Sequence, residues 1–240
     1  MKILVFDDNK INRDAAQAQL ADHELTVVGT YSEAQDLLIP KIDWDLYHQK
    51  LSPFKEKFAD FDPQADNADQ AKLKEYEDGI RVIREQSTRY PDFDVVLTDL
   101  LVPASKQSQG DNGWKFVGQE MPIGIFIGLL AAVKGRVKYI AVFTDINHHN
   151  HPASACLDAF GSGPFMVQGS KIILLNKEGL VNYFELADLT KEVDLWEGKP
   201  SNLSFNEVVA EAMATGKIAR AKNWAAALDY LLKCKADDNS

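Results

Sequence analysis

Three apolar runs in this chain end on carboxylates. KILVF at 2–6 closes on Asp7-Asp8, Asp94-Val-Val-Leu-Thr runs into Asp99, and Lys138 to Phe143 leads to Thr144-Asp145. If these runs are strands of an open α/β sheet, their carboxyl ends meet in the cleft where such sheets hold ligands. Carboxylates brought together there repel one another, and loss of water sharpens the repulsion unless protons or a cation intervene. A hard divalent ion with oxygen ligands and retained water answers that charge, and Mg²⁺ fits best. A carboxylate so placed can also attack a phosphoryl group, with the metal offsetting charge while a lysine and a hydroxyl hold the phosphoryl oxygens.

The elements that must position these residues alternate. After the first run comes a helix with Ile11, Ala15, Ala16 and Leu20 on one face. A second strand, Leu25 to Val28, leads through Gly29 to Ser32, which with Gln35 forms a capping box opening a helix Glu33–Ile39 that Pro40 ends. This βαβα opening predicts a parallel sheet with helices on both faces. Residues 41–91 break the rhythm with polar, aromatic-bearing amphipathic helices, the clearest from Ala68 to Arg89, and with a turn at Asp62-Pro63. Pro122 to Lys134 predicts a buried helix, and Pro152–Phe160 another helix. Phe165–Gln168 and Lys171–Asn176 predict a hairpin about Gly169-Ser170. Residues 178–202 read as acidic and irregular. Two helices are expected at the carboxyl end: 204–215, opened by a Ser204/Glu207 capping box, and roughly 220–234.

The blocks KILVFDDNKINR, DVVLTDLLVP and YIAVFTD resemble the receiver domain of two-component response regulators, the first of them especially the versions in hybrid histidine kinases. The resemblance spans 1–39, 92–103 and 122–177. It implies a doubly wound, five-stranded parallel sheet of flavodoxin-like order 2-1-3-4-5, forming one domain over 1–240. Insertions would lie at 41–91, 104–121 and 178–220, with a carboxyl-terminal helix at 220–234. It further implies Mg²⁺ at Asp7, Asp8, Asp99 and the Leu101 backbone carbonyl, with Asp99 the phospho-acceptor and Thr144 the switch hydroxyl. For the family's phosphoryl-binding lysine the candidates are Lys171 and Lys177. Implied partners are a histidine kinase or phosphotransfer protein as donor, and an output protein that recognises the altered surface. Asp145 stands where the family carries a small residue. Two alternatives follow: a pseudo-receiver that binds partners without phosphorylation, its pocket closed by Asp145 or lacking the lysine, and a Mg²⁺-dependent hydrolase of a small phosphorylated ligand, with 104–121 and 145–152 as a lid.

Composition bounds the remaining readings. The 26 Lys+Arg against 36 Asp+Glu give a net charge of −10, which opposes broad capture of nucleic acid or of an anionic membrane. The carboxyl-terminal helix pair has a faint helix-turn-helix look, but its basic cluster of Lys217, Arg220 and Lys222 is small. A packing or homodimerising role is expected instead, through Val208, Val209, Ala212, Trp224, Leu228 and Leu231. Two cysteines make no disulfide scaffold, and neither a signal peptide nor an apolar run of about 20 residues is present, so the expected setting is cytoplasmic. Cys156, with no basic partner to activate it, is expected to be packed. His148, His149 and His151 could form a transition-metal site or a pH-sensitive gate, yet adjacent loop histidines point different ways and no Cys or carboxylate spacing completes a site.

Overall fold

The chain opens with β1 (Lys2–Phe6), α1 (Lys10–Gln19), β2 (Glu24–Val28) and α2 (Tyr31–Leu38). The computed structural model describes residues 1–65, 69–103, 118–144, 152–160, 163–175, 180–200 and 202–234. It divides into two units, one of Met1–Leu38 with Asp92–Ser240 and one of Ile39–Pro91. The inserted segment is therefore a unit of its own. In it, β3 (Lys41–Ile42), α3 (Trp44–Lys57), α4 (Gln70–Gln86) and β4 (Thr88–Arg89) form a helical hairpin closed by an antiparallel β3–β4 ladder. Asp43 caps α3 and pairs with Arg89, while Phe54, Phe58, Phe61 and Tyr76 pack ring on ring at 4.9–6.1 Å. Gly79 is what lets the helices close, because a Cβ there would stand 2.2 Å from the Phe54 ring.

In the larger unit the chain continues with β5 (Val95–Asp99), β6 (Val102–Pro103), β7 (Glu120–Met121), α5 (Ile123–Val133), β8 (Tyr139–Phe143), α6 (Pro152–Leu157), β9 (Phe165–Val167) and β10 (Ser170–Leu175). It ends with β11 (Val181–Glu185), β12 (Asp188–Glu192), α7 (Phe205–Ala214), β13 (Ile218–Lys222) and α8 (Trp224–Lys233). The central sheet runs β2-β1-β5-β8-β10-β9 and is parallel except at β9, which pairs antiparallel with β10 as the other half of the expected hairpin. It thus has six strands where five were expected.

Both faces of this sheet are covered, and side chains alternate between them. Ile3, Val5, Val95, Leu97, Ala141 and Ile173 join one core with α1 and α8. Leu4, Phe6, Val96, Ile140, Val142 and Ile172 join the other with α2 and α5. Helix α5 meets β5 very closely: a Cβ on Gly124 would lie 1.7 Å from the Asp99 carbonyl oxygen, and the Gly124 N–H donates to the Leu100 carbonyl at 3.1 Å.

Four further expectations change. The capping box of α2 is Thr30 with Glu33, two residues earlier than Ser32 with Gln35. The Thr30 hydroxyl accepts from the Glu33 N–H, and the Glu33 carboxylate accepts from the N–H groups of Gly29 and Thr30. Within the segment expected to be irregular, residues 181–192 are not, because β11 and β12 form a second sheet in the order β12-β11-β13. The final helix does not begin near 220: Ile218–Lys222 extends as β13 along β11, and only Asn223 caps α8. Cys156 is exposed, because the short α6 turns the neighbouring Leu157 inward. By contrast Val208, Ala212, Trp224, Leu228 and Leu231 are all buried within the chain. Among the described residues no helix is long and apolar enough to cross a membrane.

Gly124→Ala is expected to destabilise the protein by about 1–3 kcal/mol, the range for forcing atoms into a filled core, because backbone rather than a flexible side chain must give way. Urea unfolding measures this, and a change near zero would mean that α5 can slide.

Candidate functional site

The β registers bring the acidic strand ends together. Phe6 pairs with Thr98 and Asp99 with Phe143, so Asp7, Asp99 and Thr144 end three neighbouring parallel strands at one edge. One carboxylate oxygen each from Asp7, Asp8 and Asp99 lies within 4.8 Å of the others. Asp7 and Asp99 are buried, as is Thr144, whose N–H donates to the Leu175 carbonyl at 3.2 Å. Asp8 is the most accessible of the three acids. Leu101 packs its side chain into the core two residues past Asp99, so only its backbone could serve a cation.

The cation that meets these acids is Lys222. Its side chain is wholly buried, with Nζ 2.7 Å from Asp7 Oδ2 and 2.6 Å from Asp99 Oδ1. The rings of Phe143 and Trp224 lie 5.5 and 5.4 Å from the ammonium, within cation–π range. An ammonium removed from water survives only where opposite charge and hydrogen bonds replace its hydration, which two carboxylates and two ring faces supply. Of the two lysines expected for this position, Lys171 stands at the wrong end of β10. It pairs with Tyr139 at the start of β8, and its ammonium donates to the Cys234 carbonyl, about 13 Å of strand from the carboxyl edge. Lys177, Asp145 and the histidines at 148, 149 and 151 lie outside the described residues.

Helix α1 holds the acidic pair from behind. Asn9 caps it, and the Asn9 N–H donates to Asp7 Oδ1 at 2.8 Å. The Asn12 amide donates to both Asp7 carboxylate oxygens at 3.3 and 3.1 Å, and its own oxygen accepts the Lys222 N–H at 3.1 Å. Arg13 donates to the backbone carbonyls of Asp7 and Asp8 at 2.8 and 2.6 Å, fixing the turn that aims both carboxylates. The Trp224 indole N–H donates to the Asn12 carbonyl at 2.8 Å.

Sequence reasoning finds the acids and Thr144, and it misses Lys222 and Asn12. A signal for Lys222 was present: a lysine closing a short run, then Asn as cap, then an apolar helix. That is the same order of strand end, charge, cap and helix as Phe6, Asp7, Asn9 and α1.

Three carboxylates against one ammonium leave a deficit of two charges, which a divalent cation matches, and the donor set is all oxygen, as Mg²⁺ or Ca²⁺ prefers. Asp8 shows the strain of crowding. Its carboxyl is held above the usual carboxylate range, first by burial and then by the nearby Asp7 charge, with its own backbone N–H and Lys222 pulling the other way. No family model, curated protein or solved structure matches the chain.

Two outcomes follow from this electrostatics. Lys222→Met leaves two buried carboxylates uncompensated and is expected to cost about 3–5 kcal/mol at neutral pH. A loss well under about 1 kcal/mol in urea unfolding would mean that the ion pair is immaterial to the fold. Because the fold disfavours ionised Asp8, the group lowers stability at neutral pH and ceases to do so below its unfolded pKa of about 3.9. Asp8→Asn should therefore raise the melting temperature at pH 7, the gain shrinking towards pH 4. An equal gain at both pH values would contradict the assignment.

Proposed function

We propose that this protein is a receiver-like signalling domain that accepts a phosphoryl group on Asp99 with Mg²⁺ held by Asp7, Asp8 and Asp99. The observation that carries this reading is the placing of the Lys222 ammonium between Asp7 and Asp99, beside a third carboxylate, at the carboxyl edge of a parallel sheet. The order of its parallel strands, β2-β1-β5-β8-β10, agrees with the flavodoxin-like order of such domains, with β9 added at the edge.

In this reading an Asp99 oxygen attacks the phosphorus of a phosphohistidine donor. An O–P bond forms, the P–N bond breaks, and the imidazole leaves with a proton. The Lys222 ammonium is placed to meet a phosphoryl oxygen, and Thr144, one residue past the register partner of Asp99, supplies the hydroxyl. When bound, Mg²⁺ would neutralise charge on the remaining phosphoryl oxygens. Asn12 and Arg13 keep Asp7 and Asp8 aimed. The donor would be a histidine kinase or phosphotransfer protein and the receiver of the signal another protein, in keeping with the net charge of −10, which opposes nucleic acid as the target. Added negative charge at Asp99 must draw on Lys222, and the surface around β13 and α8 would change with it.

A second reading is a binding module that works without phosphorylation, in which the pairing of Lys222 with both buried acids serves as a fixed structural lock. One experiment separates the two. Incubation with Mg²⁺ and acetyl phosphate or beryllofluoride is expected to give a phosphoryl mass gain or saturable binding in the wild type and neither in Asp99→Asn. A wild type that ignores both reagents would favour the binding module.

A further inference from the structure

The residues of the acidic edge are placed by a continuous β-ladder, but Lys222 is not. It ends β13, a strand of the small sheet, whose ladder runs along β11. What sets its position relative to Asp7 and Asp99 must therefore come from elsewhere, and two amides of α1 supply it. Asn12 accepts the Lys222 N–H, and it also touches Asp7. Gln19, seven residues on, touches no member of the acidic cluster. Its Nε2 donates to the Lys222 carbonyl at 3.3 Å and to the Leu189 carbonyl of β12 at 3.0 Å, and its Oε1 accepts the Trp224 N–H at 2.7 Å.

We infer that Gln19 is a positioning residue for the site: it pins the turn between β13 and α8 to α1, and so holds the Lys222 ammonium at Asp99. The inference rests on the receiver reading for what the ammonium does, but not for where it is held. The physical ground is that Lys222 and Trp224 flank the strand-to-helix turn and present a carbonyl and an N–H in opposite senses. A primary amide is the side chain that donates to one and accepts from the other. Removing it leaves those groups without their partner on α1, and the lysine loses its register against the acids. The same amide reaches β12, so one side chain ties α1, both outer strands of the small sheet and the start of α8.

The test uses the full chain and the near-isosteric Gln19→Leu, with Gln19→Glu as a second variant that keeps the acceptor for Trp224 but loses the donor. Mg²⁺ binding, which depends on the carboxylates, is expected not to weaken, because withdrawing the ammonium removes a competing positive charge from Asp7 and Asp99. Beryllofluoride binding at saturating Mg²⁺, which needs the ammonium, is expected to weaken about 10–100-fold, as for loss of a supporting shell, with Gln19→Glu in between. Equal beryllofluoride affinity in wild type and Gln19→Leu, or a parallel loss of Mg²⁺ binding, would overturn the inference. Acylation of lysine amines under native conditions, read by mass at Lys222, gives a readout that needs no phosphoryl chemistry. Lys222 is expected to be protected in the wild type and labelled in Gln19→Leu, and protection in both overturns the positioning role. If the wild type binds neither Mg²⁺ nor beryllofluoride, the receiver reading falls, and the labelling result still decides for or against Gln19.

Discussion

A fully buried ammonium between two carboxylates is the constraint around which the larger unit is arranged. Lys222 must exchange its hydration for Asp7, Asp99 and two aromatic faces, and each has to arrive from a different part of the chain. Such an arrangement adds little net stability over a well-packed apolar core, yet it is very costly to break by halves. It therefore acts as a lock on geometry. The strands that carry Asp7, Asp99 and Phe143 have to end in register, and the turn into α8 has to reach back to α1.

The layers make that convergence feasible. Helix α5 lies so close to the end of β5 that only a glycine fits at 124, which sets the Asp99 backbone against the start of a helix. On the opposite face α1 and α8 flank the site, and the β11–β12–β13 sheet stands in the chain between β10 and α8. The excursion through 180–222 thus returns a lysine to the edge at which β10 ends. In the proposed function, charge arriving at Asp99 would be felt first by Lys222, which belongs to both the acidic edge and the small sheet.

Much of this was legible along the chain. KILVF, VVLT and YIAVF are short apolar runs with a polar end, so strand, edge and acid come together within a few residues. The same holds for the Ser204–Glu207 capping box, whose two members are one helical turn apart. Neighbouring choices with nearly equal local energies were not legible. Thr30–Glu33 and Ser32–Gln35 are both capping pairs by type, and the backbone path out of β2 selects the first. Cys156 and Leu157 compete for one inward position on a six-residue helix, and the core takes the leucine. Ile218–Lys222 has the composition of a helix start, and becomes a strand because β11 offers a ladder to pair with.

By itself, then, the sequence determined the parallel α/β layering and the acids at the strand ends, because periodicity and punctuation act over a few residues. Only the tertiary structure decided which cation answers those acids. Lys222 and Asp7 are 215 positions apart, and the local signal of a lysine ahead of an Asn cap and an apolar helix does not say which acids that lysine will meet. Lys171 sits in a strand of the central sheet, as a sequence reading would prefer, but a strand has two ends, and its ammonium is at the one away from the acids. Burial of a charge is a property of everything that packs around it, so its partner is chosen only when the distant elements meet.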